Sequence, residues 1–125
     1  MEKQNIALVG LGRIGSAFLR GVSNKQNQGV NLLYAAESAD TPGKAQAIAA
    51  GIRIATLEEI AAAGTKVDII FDLTGNPAVR KQLREQLAAH KNQHTVVAPE
   101  SVARLIWSLI GNEALPEIQG RNTGY

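Results

Sequence analysis

The sequence predicts a doubly wound parallel α/β sheet, and three observations carry that reading. Five short apolar, β-branched runs recur along the chain, segments of helical period separate them, and a glycine-rich turn follows the first run. Runs this short read as strands buried on both faces, and a strand–helix alternation folds as a parallel sheet with helices on either side.

The elements follow in order. The first strand is read at Ile6 to Val9, "IALV", and the helix after it places Ile14, Ala17, Phe18 and Gly21 on one face. The second strand spans Val30 to Ala36. Thr41-Pro42 then sets a capping side chain before a proline in the first turn of the next helix. A third strand is read at Ile52 to Ala55. Thr56 with Glu59 forms a capping box for a helix through Ala63, which Gly64 ends. The fourth strand covers Val67 to Leu73. Asn76-Pro77 starts a helix with Val79, Leu83 and Leu87 inward and Arg80, Lys81, Arg84 and Glu85 turned away. The fifth strand lies at His94 to Ala98.

A last helix runs from Pro99 to Ile110. Val102, Leu105, Ile106, Leu109 and Ile110 recur at helical spacing and are expected against the sheet. Trp107 falls off that stripe, beside Ala103, and needs cover. A neighbouring helix or the tail would supply it, or a second copy or a following domain would dock on this helix. Residues 1–110 therefore form one domain. Residues 111–125, polar and broken by glycine and proline, read as a tail or a truncated linker.

Composition narrows the function classes. The chain has 125 residues, 45% hydrophobic and 19% charged, as in an ordinary globular domain. A net charge of +2 with dispersed basic residues lacks the basic stripe that nucleic acid demands. There is no cysteine, so thiolate metal sites and cysteine nucleophiles are absent, and no other metal-ligand spacing occurs. No apolar run is long enough for a signal peptide or a membrane span, which makes the cytoplasm the expected compartment.

Gly10, Gly12 and Gly15 form G-x-G-x-x-G directly after the first strand and at the start of the first helix. Each glycine has its own task in a dinucleotide fingerprint: a tight turn, close backbone approach to a pyrophosphate, and close packing of helix on strand. The phosphates then meet the helix N-terminus near Arg13 and Ile14. Glu37, 22 residues after Gly15 at the end of the second strand, stands where a carboxylate accepts the adenosine ribose 2′-hydroxyl. Its charge opposes a 2′-phosphate, so NAD is expected over NADP, although Ser38 and Lys44 nearby would soften the preference. Coenzyme A or S-adenosylmethionine would use the same fold, but the full fingerprint with Glu37 favours a dinucleotide. The fourth strand should emerge beside the first, so Thr74, Gly75 and Asn76 border the ligand at the switch point. Asn76 also has a sufficient role as a helix cap.

The stretches "GLGRIG" and "DLTGNP" together resemble the N-terminal cofactor domains of the homoserine dehydrogenase, aspartate dehydrogenase and dihydrodipicolinate reductase group, over Asn5 to about Ile110. The resemblance implies a Rossmann-type dinucleotide-binding domain. It places the pyrophosphate on Gly10, Gly12, Arg13, Ile14 and Gly15, the ribose on Glu37, and the nicotinamide side under Thr74, Gly75 and Asn76. Enzymes of that group carry a second domain with the substrate site, and nothing in this sequence corresponds to it. Similar domains also serve as accessory modules in signalling proteins.

Catalytic candidates are correspondingly few. His90 ends a helix, where a histidine partners the dipole, and His94 stands at the wrong end of its strand. Asp68 and Asp72 flank the fourth strand, and Asp72 is expected to bond its own turn. Glu100 reads as a carboxylate at a helix start. No reaction is legible. The expectation is an NAD(H)-binding module of a larger regulatory or sensor protein, with the cofactor half of a dehydrogenase or reductase as the alternative.

Overall fold

The computed structural model describes residues 3–23 and 29–110, the side chain of Ile110 excepted; the expected tail at 111–125 lies outside the described residues. Five strands form one sheet in the order β3-β2-β1-β4-β5: β1 (Gln4–Val9), β2 (Val30–Ala36), β3 (Arg53–Ile54), β4 (Ile69–Asp72) and β5 (Val96–Pro99). Every pairing is parallel. The helices are α1 (Arg13–Ser23), α2 (Pro42–Ala49), α3 (Leu57–Ala62), α4 (Pro77–Ala89) and α5 (Glu100–Ile110). The doubly wound fold is therefore present, with β4 beside β1 as expected.

Alternation along the strands divides the core in two. Ile6 and Leu8 of β1 face one cluster with Ile14, Phe18, Leu19 and Val22 of α1, Ala47 of α2 and Ala103 of α5. Ala7 and Val9 face the other, with Ile60 and Ala61 of α3 and Leu83 and Leu87 of α4. The chain is thus three-layered, with α1, α2 and α5 on one face and α3 and α4 on the other. Travel from β1 to β3 and from β4 to β5 runs in opposite directions with helices on opposite faces, as a single hand of crossover requires. A register break in β2 opposite Ile6 and Ala7 lets consecutive Leu33 and Tyr34 both pack towards the second cluster.

Local signals hold with small shifts. Thr41 accepts the Lys44 amide at 3.1 Å as the cap of α2. Thr56 and Glu59 exchange both bonds of a capping box, and Asn76 caps α4 through the Ala78 amide. The third strand shrinks to two residues, because Ile52 and Ala55 are held by α2 and β2 backbone outside the ladder. The fourth and fifth strands begin two residues later than their apolar runs, at Ile69 and Val96. Asp68 before β4 takes the Asn5 amide on its side chain, and Asn92 takes the His94 and Thr95 amides before β5.

The last helix corrects the sequence reading. Val102, Leu105 and Leu109 are exposed, Leu109 at 75%, while Ala103, Ile106 and Trp107 face the core; Pro99 closes β5. The Trp107 ring lies over Gly21, where any β-carbon would overlap it, and 5.7 Å from the Phe18 ring, which itself meets Phe71 at 5.0 Å. An indole brings more contact area than any one of the aliphatic residues, and Ala103 lets the backbone close in. A count of apolar residues by spacing does not weigh those sizes. The cover that Trp107 needed comes from α1.

Candidate functional site

The three glycines of the first turn have three different environments. Gly10 leaves β1 with φ +95°, donates its amide to Ala36 O at 2.9 Å, and approaches the backbone of Thr74 so closely that a β-carbon would stand 3.0 Å from Thr74 N. Gly15 faces the Gly10 carbonyl, which a β-carbon would overlap. Both are required by the protein's own packing. Gly12 differs: a β-carbon there would meet nothing within 4 Å. The fold supplies no reason for that glycine, and the space it leaves open adjoins the start of α1.

The first intrahelical bond of α1 runs from Ser16 N to Gly12 O at 2.8 Å. The amides of Arg13, Ile14 and Gly15 thus precede the first intrahelical donor, and the positive end of the helix dipole lies with them. Arg13 is exposed, whereas the Ile14 side chain is buried in the core and only its backbone faces this end.

Glu37, at the end of β2, reaches across to the glycine turn. Its Oε1 accepts the Leu11 amide at 2.7 Å and its Oε2 accepts the Ala39 amide at 3.1 Å. Beyond it opens a cleft of about 450 Å³, lined by Val9, Gly10, Ala36, Glu37, Ser38, Ile54 to Leu57, Glu59, Thr74, Val79 and Gln82. Its walls are mostly apolar, with a few polar groups at the rim, the character of a small-molecule site. The cleft sits at the C-terminal ends of β1, β2 and β4, where the strand order reverses.

Of the residues expected from the sequence, Gly10, Glu37 and Thr74 line this cleft together, and Gly12, Arg13, Ile14 and Gly15 form the turn and helix start next to it. Thr74 is fixed by the fully buried Asp72, whose Oδ1 accepts both its amide (3.1 Å) and its hydroxyl (2.7 Å). Gly75 follows with φ +62°, and the Asn76 side chain is engaged as the α4 cap; neither lines the cleft. Glu59 at the rim has its carboxyl held below the ordinary range by the Thr56 amide and hydroxyl, with Arg53 adding to it.

The walls Ile54, Leu57, Val79 and Gln82 were not read from the sequence. They come from β3, α3 and α4, and no motif marks them. Ser16 and Thr41 were also missed as neighbours of the turn: both hydroxyls bond the Leu11 carbonyl, at 3.1 and 2.9 Å.

The remaining candidates lie elsewhere. His94 Nε2 meets Asp68 Oδ1 at 2.7 Å, at the N-terminal edge of the sheet opposite the cleft. Asp68 also accepts the Asn5 amide, and these two bonds, the amide foremost, hold its carboxyl below the ordinary range. His90 caps the end of α4 with Glu58 3.7 Å away. Glu100 opens α5 fully buried, 3.9 Å from Arg104. Among the described residues there is no cluster of histidine and carboxylate able to hold a metal, and no helix long and apolar enough to cross a membrane.

No family model matches this sequence, and no curated protein matches it. Solved structures do. Homoserine dehydrogenase of S. aureus is similar over 89% of this chain and 31% of its own, with 20% identity and a TM-score of 0.55. Homoserine dehydrogenase from Thiobacillus denitrificans covers 86% of this chain and 26% of its own at 23% identity and a TM-score of 0.54. Scyllo-inositol dehydrogenase from Lactobacillus casei, solved with NAD(H) and scyllo-inositol, covers 86% and 34% at 15% identity and a TM-score of 0.57. The chain spans about a third of the length of these proteins or less. At such identities the likeness is one of fold: the doubly wound sheet read from the sequence is the fold that these dehydrogenases share with it.

Proposed function

We propose that this chain is a nicotinamide-dinucleotide-binding domain, with NAD preferred over NADP, and that it forms the cofactor half of an oxidoreductase. The observation that carries the reading is Gly12. Its neighbours Gly10 and Gly15 are demanded by contacts within the protein, whereas the missing side chain of Gly12 faces open space at a helix N-terminus. A pyrophosphate needs that combination of a bare backbone and free amides.

The other parts fit the same ligand. Glu37 offers carboxylate oxygens at the end of β2 to a ribose diol, and the apolar walls Ile54, Leu57 and Val79 suit an adenine ring. Thr74 and Gly75 border the far side of the first strand's exit. When bound, the dinucleotide supplies a hydride acceptor or donor at its nicotinamide; the chain's own residues bind and orient it. The charge of Glu37 supports NAD, since a 2′-phosphate would meet a carboxylate held in place by one backbone amide on each oxygen.

The structural neighbours are dehydrogenases, which supports the oxidoreductase half over a signalling module. Its substrate groups would then lie outside residues 1–110. Calorimetric titration with NAD, NADH and NADP tests the reading. Saturable binding of NAD or NADH, tighter than NADP, is expected. Absence of binding by all three would overturn it.

A further inference from the structure

The peptide joining Leu11 to Gly12 is held more tightly than a surface turn needs. The Leu11 carbonyl accepts two side-chain hydroxyls, Ser16 Oγ at 3.1 Å and Thr41 Oγ1 at 2.9 Å. The Leu11 amide is bonded to Glu37, and its side chain is fully buried. Thr41 belongs to the cap of α2, and α2 is pressed against the same spot: a β-carbon on Gly43 would overlap Ser16 Oγ and approach Leu11 O.

A peptide unit is planar and trans, so its C=O and the following N–H point in opposite directions. Among the described residues no peptide bond is cis. Fixing the Leu11 carbonyl towards Ser16 and Thr41 therefore aims the Gly12 N–H the other way, out of the turn.

We propose that Thr41, together with Ser16, is a positioning residue for ligand phosphate: the two hydroxyls orient the Leu11–Gly12 peptide so that the Gly12 amide is presented to a pyrophosphate before it arrives. The inference rests on the dinucleotide reading and adds the residues that prearrange its phosphate contact. Prearrangement matters because a donor already in place loses no orientational freedom on binding. It also ties α2 to the ligand site, since the hydroxyl that caps α2 is the one that holds the loop.

The test compares ADP, which carries the pyrophosphate, with adenosine, which does not, on the full chain; calorimetry serves for ADP and ligand-observed NMR for adenosine. Thr41→Val should weaken ADP about tenfold, the effect of one hydrogen bond of ~1.4 kcal/mol, and leave adenosine within about twofold. Thr41→Ser, which keeps the hydroxyl, should restore ADP binding. Loss of the α2 cap alone would lower the melting temperature without singling out the phosphate-bearing ligand. Ser16→Ala, a good helix former in α1, should act in the same direction and serves if Thr41→Val fails to fold. Equal loss of both ligands, no loss of either, or no rescue by serine would overturn the positioning role while leaving the ligand reading intact. A wild-type chain that binds neither ADP nor NAD would overturn both.

Discussion

Glu37 Oε1 lies 2.7 Å from the Leu11 amide nitrogen, joining the end of the second strand to the middle of the glycine turn 26 residues earlier. The two sites that a dinucleotide would engage, ribose and pyrophosphate, are therefore one mechanical unit. The carboxylate cannot swing aside for a 2′-phosphate without releasing the turn. Glu37→Ala should narrow the affinity gap between NAD and NADP by about tenfold to a hundredfold, because it removes the carboxylate charge that disfavours a 2′-phosphate by ~1–3 kcal/mol. Paired titrations with NAD and NADP check this; an unchanged ratio removes Glu37 from the ribose.

Gly15 packs on the Gly10 carbonyl, so Gly15→Ala must push α1 away from β1. Overpacking of that kind costs about 1–3 kcal/mol. Chemical denaturation should show the loss directly. A variant as stable as wild type would mean that the helix and strand can separate at no cost, against the packing described.

Trp107 is the single tryptophan, and its ring is lodged between Phe18 and Gly21. Native fluorescence should be blue-shifted relative to the unfolded chain. Trp107→Ala should destabilise the fold by about 2–4 kcal/mol, less than a wholly buried ring because the residue is half-buried, with NAD affinity within a few-fold. A solvent-like emission spectrum would place the ring outside α1's cover and return it to the role of an interface anchor.

Asp68 carries a depressed carboxyl pKa, chiefly through the Asn5 amide and then through His94. A group whose folded pKa lies below its ordinary value of 3.8 adds stability above that value and loses it as pH falls through the folded pKa. Wild type should therefore exceed Asp68→Asn in melting temperature at pH 5 and above, and the gap should close below about pH 3.8. A gap that widens in acid would reverse the assigned sign. Ligand affinity should not follow this titration, because the pair stands at the opposite edge of the sheet.

Much of this is legible in the sequence. The alternation of buried runs and periodic segments announces the layered sheet, and the caps at Thr41, Thr56 and Asn76 are local events that depend on neighbours in sequence. The glycine turn is legible for the same reason. The orientation of α5 was not: spacing marks Val102, Leu105 and Leu109 as a stripe, but which stripe faces inward depends on Gly21 and Phe18, some eighty residues earlier. The walls of the cleft were hidden likewise, since Ile54, Leu57 and Val79 meet only once β3, α3 and α4 are assembled. Thr41 read correctly as a cap, and its second bond to Leu11 could not be seen from its neighbours.

Gly12→Val tests most directly whether Gly12 is a glycine for a ligand and for nothing else. Its side chain would enter space that no protein atom occupies within 4 Å of the β-carbon. The variant should fold with wild-type melting behaviour, apart from a small helix-start penalty, yet lose calorimetric binding of NAD and NADH. Binding of either dinucleotide by Gly12→Val as tight as by wild type would contradict it.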